Sequence, residues 1–219
     1  MEDSQQFKYH PKVILVPFML VFSIWLVFWL ELTFHWDFAK HGIYPKRLSG
    51  LQGVLFSPFI HGSVEHIANN SIPLTVLTAG LFFFYKEMAF RILIVGCVLT
   101  GLLTWLIGRP SYHIGASGVV YLLFSFIFFS GVIRKHIRLI ALSLVVVFLY
   151  GSMVWYVMPI KEGMSWEGHL SGFIVGFLFA LIFRKKGPQK KQVVFEHTAF
   201  DDMFDENGNF VPTEVESNK

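Results

Sequence analysis

The chain has 219 residues and a formal net charge of +3. Hydrophobic residues make up 54% of it and charged residues only 15%, a composition typical of membrane proteins and not of soluble domains. The small net charge gives no reason to expect nucleic acid as a partner. Cys97 is the one cysteine of the sequence, so an intrachain disulfide is excluded, and we interpret it as a packing residue.

Six apolar segments approach the roughly 20 residues that an α-helix needs to cross a bilayer. Their predicted bounds are residues 13–33, 62–85, 88–107, 115–133, 137–158 and 167–184. The first follows a short polar segment, as a signal peptide would. It is longer than a signal core and no small-residue cleavage site follows it, so we expect a retained span. The sequence therefore predicts an all-α, polytopic membrane protein with six transmembrane helices.

Connections rich in lysine and arginine alternate along the chain with connections that contain few of these residues. The basic residues concerned are Lys8, Lys12, Lys86, Arg91, Arg134, Lys135, Arg138 and the cluster within residues 184–191. The positive-inside rule then places both termini in the cytoplasm, in agreement with an even number of spans. We expect residues 1–12 to be a cytoplasmic segment, residues 13–185 the membrane domain and residues 186–219 a flexible cytoplasmic tail.

The longest connection, residues 35–58, joins the first and second spans. It mixes aromatic, glycine and charged residues, among them Trp36 and Tyr44. Because tryptophan and tyrosine favour the membrane interface, we expect an ordered segment that rests there.

Three polar clusters stand at the heads of the second, fourth and sixth spans: residues 66–70 (HIANN), 113–118 (HIGASG) and 168–172 (GHLSG). These helices run the same way, so their heads share one layer of the membrane on the non-cytoplasmic side. A serine, an imidazole, and a second imidazole with a carboxamide can converge there. Such a set can supply a nucleophile, a base and an oxyanion site.

Ser117 is expected in the first turn of the fourth helix. A serine in a membrane helix commonly just bonds the carbonyl four residues back. Here Gly115 and Gly118 permit close backbone approach, and a helix N-terminus offers free N–H groups to a negative oxygen. His66 and Asn70 are four residues apart, so both stand on one helix face as possible donors.

His169 is the candidate base for Ser117. Gly172 and Gly176 follow it at i+3 and i+7, which makes that helix face small and allows close packing against the fourth helix. Glu167, the acid nearest to His169 in sequence, is two residues away and is expected to point elsewhere. The residues thus favour a catalytic dyad of Ser117 and His169 over a triad that also contains an acid.

The motifs Gly115-x-Ser117-Gly118, His66-x-x-x-Asn70 and His169-x-x-Gly172-x-x-x-Gly176 resemble those of rhomboid intramembrane serine proteases. The resemblance spans roughly residues 13–185 and implies a rhomboid-like six-helix bundle that cleaves transmembrane segments of other proteins in the lipid bilayer, without cofactor or metal. It implies a Ser117–His169 dyad, an oxyanion hole formed by His66, Asn70 and the Ser117 N–H, and a Tyr121 ring packed against the catalytic imidazole. We expect a multi-pass protein of the bacterial inner membrane.

Other interpretations stay open. One is an inactive rhomboid relative that binds membrane clients, although such relatives lose the serine or the histidine. Another is a metal-binding or transport protein built from His61, His66, His113 and His169, although no His-Glu-x-x-His motif occurs. His61 also fits the family pattern, but its spacing predicts that it is rotated away from His66 and holds the first loop. His113 has no predicted role.

Overall fold

A computed structural model describes residues 10–150, 155–160, 163–187, 198 and 200–211. These residues form an all-helical fold, with no strand beyond two isolated bridges. The six long helices are α1 Lys12–Phe34, α2 Val64–Phe84, α3 Ala89–Ile107, α4 Ser117–Arg134, α5 Ile137–Tyr150 and α6 Trp166–Ile182. Helices α1 to α4 are long and apolar enough to span a membrane, and α5 and α6 are apolar but shorter. The predicted all-α, polytopic fold is confirmed.

Local sequence explains several helix ends. Helix α2 begins after Ser63, whose hydroxyl accepts the N–H of His66 at 3.1 Å as an N-cap. Helix α4 ends at Arg134, and the next residue, Lys135, takes the left-handed conformation with φ of 53°. The prediction that the fifth span continues to residue 158 is wrong, because Trp155–Val157 form a 3-10 helix. Hydropathy alone does not distinguish a 3-10 helix in an apolar sequence from the continuation of an α-helix.

Helix α4 is the centre of the bundle. Of its 18 residues, 67% are buried inside the protein. In α1 the buried share is only 17% over an apolar stretch of the same length. It contacts α2, α3, α5 and α6, and its side chains Leu122, Leu123, Phe126 and Ile127 are fully buried. The head of α4, where Ser117 lies, is therefore held from several sides.

Glycines bring α6 into backbone contact with α4. A Cβ on Gly172 would lie 2.1 Å from the Gly118 carbonyl oxygen, and one on Gly176 would lie 2.3 Å from the Leu122 carbonyl oxygen. Only glycine allows this approach. Ser125 adds a hydrogen bond between the helices, because its hydroxyl donates to the Phe173 carbonyl at 2.7 Å.

A cation joins the other ends of the same two helices. Arg134, the last residue of α4, is buried and donates to the carbonyls of Phe183 and Lys186, just beyond α6. Its guanidinium lies 5.6 Å from the centre of the Tyr85 ring. These bonds attach the end of α4 to the chain just beyond α6.

The long first connection is ordered, as predicted. It contains 3-10 helices at Ala39–His41, Leu48–Gln52 and Ser57–Phe59 and a four-residue helix at Gly53–Phe56. Ile43 and His113 exchange two backbone hydrogen bonds of 3.0 and 2.8 Å, and the Trp105 indole donates to the Arg47 carbonyl at 2.9 Å. The connection therefore packs against α3 and the segment before α4. Its place at the membrane interface stays a prediction.

Residues Lys190–Lys219 form a separate small unit. Its described part contains a 3-10 helix at Asp201–Met203 and a bridge between Phe204 and Phe210. The Asp205 carboxylate accepts the side-chain and backbone N–H groups of Asn209 and the backbone N–H of Asn207, which lowers its pKa. Of the two segments predicted to be cytoplasmic, residues 1–9, 188–197, 199 and 212–219 lie outside the described residues.

Candidate active site

Ser117 is the first residue of α4, and the backbone just before it is shaped by Gly115. Gly115 has φ of +109°, a conformation that favours glycine. Its N–H donates to the Ser57 carbonyl at 2.8 Å, and a Cβ at this position would lie 2.5 Å from Nε2 of His66. Both the backbone conformation and the lack of space require glycine here.

His169 lies within hydrogen-bonding distance of Ser117. Its Nε2 is 2.9 Å from the Ser117 Oγ, and its Nδ1 is 2.7 Å from the Tyr156 carbonyl oxygen. Because a carbonyl can only accept, Nδ1 carries the proton and Nε2 accepts from the serine hydroxyl. The Tyr121 ring stacks on the imidazole at a centroid distance of 4.3 Å and an angle of 16°. The imidazole is thereby fixed in position and in tautomer.

Sequence reasoning missed the part played by Tyr156. The contact comes from its backbone carbonyl, and every residue has one. Tyr156 belongs to the 3-10 helix Trp155–Val157, which sequence reasoning had placed inside a longer α-helix. No side-chain pattern could have revealed this bond to His169.

His66 and Asn70 lie side by side on α2 and face the Gly115 turn. A Cβ on Gly115 would also be 3.8 Å from Nδ2 of Asn70. Asn70 is buried, and its Nδ2 donates to the His66 carbonyl of its own helix at 3.0 Å. A carboxamide carries two N–H hydrogens, so one remains for another acceptor.

His61 lies beside these residues, contrary to the sequence-based prediction. Its buried ring meets the His66 ring edge-on at a centroid distance of 4.9 Å, and its Nε2 accepts the Ala116 N–H at 3.3 Å. The prediction of a rotated position was wrong because α2 begins at Val64, so helical spacing does not apply to His61. Burial, with a smaller contribution from His66, lowers the pKa of His61 to about 4, against the opposing effect of the Phe59 carbonyl.

A cavity of about 1070 Å³ lies next to Ser117 and His169. His66, Asn70 and Tyr121 contribute to its lining, as do residues 109–114 except Pro110, and residues 163–165. The pair Ser117 and His169 thus faces a space large enough for a peptide segment and for water, although both residues lie on apolar helices.

The chain matches the Rhomboid domain family over residues 49–186. It belongs to the rhomboid family. It is 38% identical over 165 residues to an uncharacterized protein of Mycobacterium tuberculosis strain H37Rv, and equally to one of Mycobacterium bovis; each alignment covers 69% of this chain and 66% of the relative. An uncharacterized protein of Mycobacterium leprae is 31% identical over 188 residues, or 78% of this chain and 70% of the relative. The aligned part is thus just under two thirds of the first two relatives.

Membership of the rhomboid family, together with the apolar helices, makes this an integral membrane protein. The family match includes α2 to α6 and all the residues gathered around Ser117. Among the described residues, no group of three or more His, Cys, Asp or Glu side chains could hold a metal ion. His113, one of the four histidines considered as ligands, instead bonds to Ser165 and to the Arg109 carbonyl.

Glu167, the acid nearest to His169 in the rhomboid sequence, points away from the imidazole as predicted. Its side chain is 2% exposed and lies 3.6 Å from the Arg109 guanidinium. The contacts of Nδ1 and Nε2 of His169 are instead with Tyr156 and Ser117. The acid therefore belongs to a different group of residues.

Proposed function

We propose that this rhomboid is an intramembrane serine endopeptidase in which Ser117 is the nucleophile and His169 the general base. The observation that carries the proposal is the 2.9 Å contact between Nε2 of His169 and Oγ of Ser117, with Nδ1 held by the Tyr156 carbonyl. A serine bonded to a base whose orientation is fixed by a third group is the arrangement that activates a hydroxyl for attack on a carbonyl.

In the proposed mechanism, Ser117 attacks the carbonyl carbon of the substrate peptide bond while its proton passes to Nε2 of His169. His169 then gives this proton to the leaving amine, so the C–N bond breaks and an acyl-enzyme remains. A water molecule from the cavity attacks the ester through the same base, which releases the acid product and restores the serine. The Tyr156 carbonyl favours the imidazolium that forms twice in this cycle.

The oxyanion hole of the proposal consists of His66, Asn70 and the Ser117 N–H. As the first residue of α4, Ser117 has an N–H without a partner inside the helix, and the helix dipole adds partial positive charge there. The free hydrogen of the Asn70 carboxamide and the His66 ring flank the same turn. Donors fixed in place before the reaction stabilise the transition-state oxygen without reorganisation.

Four glycines and one aromatic ring support this site. Gly115 allows His66 to approach, and Gly118 sits where a Cβ would lie 3.3 Å from the Gly168 carbonyl oxygen. Gly172 and Gly176 bring the α6 backbone onto α4. The stacked Tyr121 ring restricts the rotation of the His169 imidazole.

The substrates of the proposal are transmembrane segments of other proteins. The site is built from apolar helices, and its cavity offers the water that hydrolysis needs. We place the protein in the bacterial inner membrane, since the relatives that it matches are bacterial. We place both termini in the cytoplasm, because the connections rich in lysine and arginine then lie on the cytoplasmic side.

Labelling with a fluorophosphonate probe, which reacts with activated serines, tests the proposal. We expect the purified wild-type chain to be labelled and to cleave a transmembrane substrate in liposomes. Ser117→Ala, His169→Ala and the double variant should be similarly inactive, because the base and the nucleophile act as a unit. Ser23→Ala is the matched control, since the half-buried Ser23 hydroxyl bonds the Met19 carbonyl of its own helix. Equal labelling of wild type and Ser117→Ala would overturn the proposal, and an unlabelled wild type would favour an inactive client-binding relative.

A further inference from the structure

Glu167 is a buried carboxylate for which the proposed mechanism has no use. Its side chain is 2% exposed, and burying an unpaired carboxylate costs several kcal/mol. Oε1 accepts the backbone N–H of Arg109 at 3.2 Å. Oε2 lies 3.6 Å from the Arg109 guanidinium and 4.0 Å from Nδ1 of His113. We call Arg109, His113, Ser165 and Glu167 the Glu167 cluster.

The other contacts of the cluster join the same two segments of the chain. Nδ1 of His113 is 2.6 Å from the Ser165 hydroxyl, and its Nε2 is 3.1 Å from the Arg109 carbonyl. The Arg109 guanidinium also donates to the Met164 carbonyl at 2.6 Å. Since Nε2 donates to a carbonyl, Nδ1 of a neutral His113 accepts the Ser165 hydrogen. Burial, which lowers the pKa of His113, favours the same state.

Each of the two joined segments leads directly into one member of the Ser117–His169 pair. Residues 109–113 precede Ser117, and Ile114, Gly115 and Ala116 lie between them. Glu167 is in the first turn of α6, two residues before His169. The close glycine packing of α4 and α6 occurs further along the helices, at Gly172 and Gly176. The Glu167 cluster therefore bridges the two heads at the level where the hydroxyl and the imidazole meet.

We propose that Glu167 is a positioning residue, which holds the segment before Ser117 against the head of the helix that carries His169. This inference rests on the proposed function, because it assigns to Glu167 the geometry of that dyad. A buried ion pair is weak support for stability, but it defines the relative position of the parts that it joins. An error of about 1 Å at reacting atoms can cost on the order of 10²-fold in rate.

Two substitutions in the full chain test the proposal. Glu167→Gln keeps an oxygen to accept the Arg109 N–H and removes the charge, whereas Arg109→Gln removes the guanidinium and keeps the N–H. Glu31→Gln is the matched control, because the half-buried Glu31 carboxylate at the end of α1 also accepts a backbone N–H, that of Phe38 at 2.8 Å. Each variant is measured in liposomes for kcat and KM, in detergent for the rate of fluorophosphonate labelling, and for thermal stability.

We expect both variants to lose on the order of 10²-fold in kcat and in labelling rate per folded molecule, with KM little changed. The double variant should be no worse than the poorer single variant, because both remove one link. Glu31→Gln should keep wild-type rates. Should Glu167→Gln not accumulate as folded protein, Arg109→Gln alone carries the same test.

Wild-type labelling and turnover per folded molecule in both variants would overturn the inference and leave the proposed function standing. A raised KM with unchanged kcat would also overturn it, since the cluster would then contact substrate and not position the dyad. A loss of activity that matches the unfolded fraction of each variant would likewise overturn the inference. A wild-type chain that the probe does not label at all would overturn both proposals together.

Discussion

In the part of the chain that the structure describes, three uncharged groups hold the His169 imidazole. The Tyr156 carbonyl fixes its tautomer, the Tyr121 ring stacks on its face, and the Ser117 hydroxyl lies at its second nitrogen. In many serine proteases outside membranes a carboxylate has the orienting role. A carbonyl orients the ring without placing another charge among apolar helices, where ionised groups are expensive. The buried carboxylate Glu167 is instead neutralised by Arg109, away from the imidazole.

Asn70 allows catalytic and structural roles to be separated at one residue. If its free N–H stabilises the transition-state oxygen, Asn70→Ala should lower kcat roughly 10²- to 10³-fold with KM little changed. The bond that the structure gives it is to its own helix, at the His66 carbonyl. Its loss should therefore have little effect on how α2 packs against other helices.

The Asn70 prediction is checked by steady-state kinetics in liposomes and by thermal unfolding of the same preparations. Asn69→Ala removes the neighbouring exposed carboxamide and is the control. A stable Asn70→Ala protein with wild-type kcat would remove Asn70 from the oxyanion hole. Reduced stability with normal turnover per folded molecule would assign Asn70 a structural role.

His61 predicts how stability depends on pH. Its folded-state pKa of about 4 is below the ordinary value of 6.5, so between these limits the unfolded chain binds more protons. The stability that neutral His61 provides is therefore present above about pH 6.5 and is lost as pH falls towards 4, by at most about 3 kcal/mol. His61→Gln keeps a polar group that does not titrate, so its melting temperature should fall less over this range. The prediction would be contradicted if the melting temperatures of both proteins fell equally from pH 7 to 4.

At the scale of elements, the contact of α4 with α6 depends on two glycines separated by one helical turn. A methyl group on Gly172 or Gly176 would lie 2.1 or 2.3 Å from a backbone oxygen of α4. Side chains can rotate away from such a clash, but backbone carbonyls cannot, so the helices must separate. Because Ser117 and His169 are on these helices, separation should also lengthen their 2.9 Å contact.

We expect Gly172→Ala and Gly176→Ala each to lower stability by roughly 1 to 3 kcal/mol or more, as overpacking does. Gly172→Ala, one turn from His169, should also reduce fluorophosphonate labelling. Gly62→Ala is the size-matched control for stability, since the nearest atom to its Cβ would be a side-chain carbon of Ile114 at 3.8 Å. Melting curves that are unchanged for Gly172→Ala would show that α4 and α6 do not approach this closely.

The helices and the position of Ser117 could be predicted from the sequence because both depend on local features. Apolar stretches locate the spans, and the glycine-flanked serine marks the start of α4. Three features could not be predicted: the 3-10 helix at Trp155–Val157, the contact of His61 with Ala116, and the Tyr156 carbonyl at His169. Each depends on where an irregular segment lies in space, and its contacts use backbone groups common to all residues.

At the scale of the whole molecule, the heads of α2, α4 and α6 meet at one end of the bundle. His66, Ser117 and His169 are all in the first turns of these helices. At the other end, the terminus of α4 is bound to the chain just beyond α6 through Arg134. The proposed site is therefore confined to one face of the membrane. The face on which the site lies determines on which side of the membrane substrates are cut.

Cysteine accessibility tests the proposed orientation in a Cys97→Ser background. Lys12 and Lys186 are exposed at the start of α1 and just beyond α6, and Met158 is exposed two residues after Tyr156, whose carbonyl binds His169. Six crossings and the positive-inside rule place both lysines in the cytoplasm and Met158 outside. A membrane-impermeant maleimide should then modify Met158→Cys in intact cells, and Lys12→Cys and Lys186→Cys only in inverted vesicles. Modification of Met158→Cys only in inverted vesicles would place the site on the cytoplasmic face, and Lys12→Cys and Lys186→Cys on opposite sides would contradict an even number of crossings.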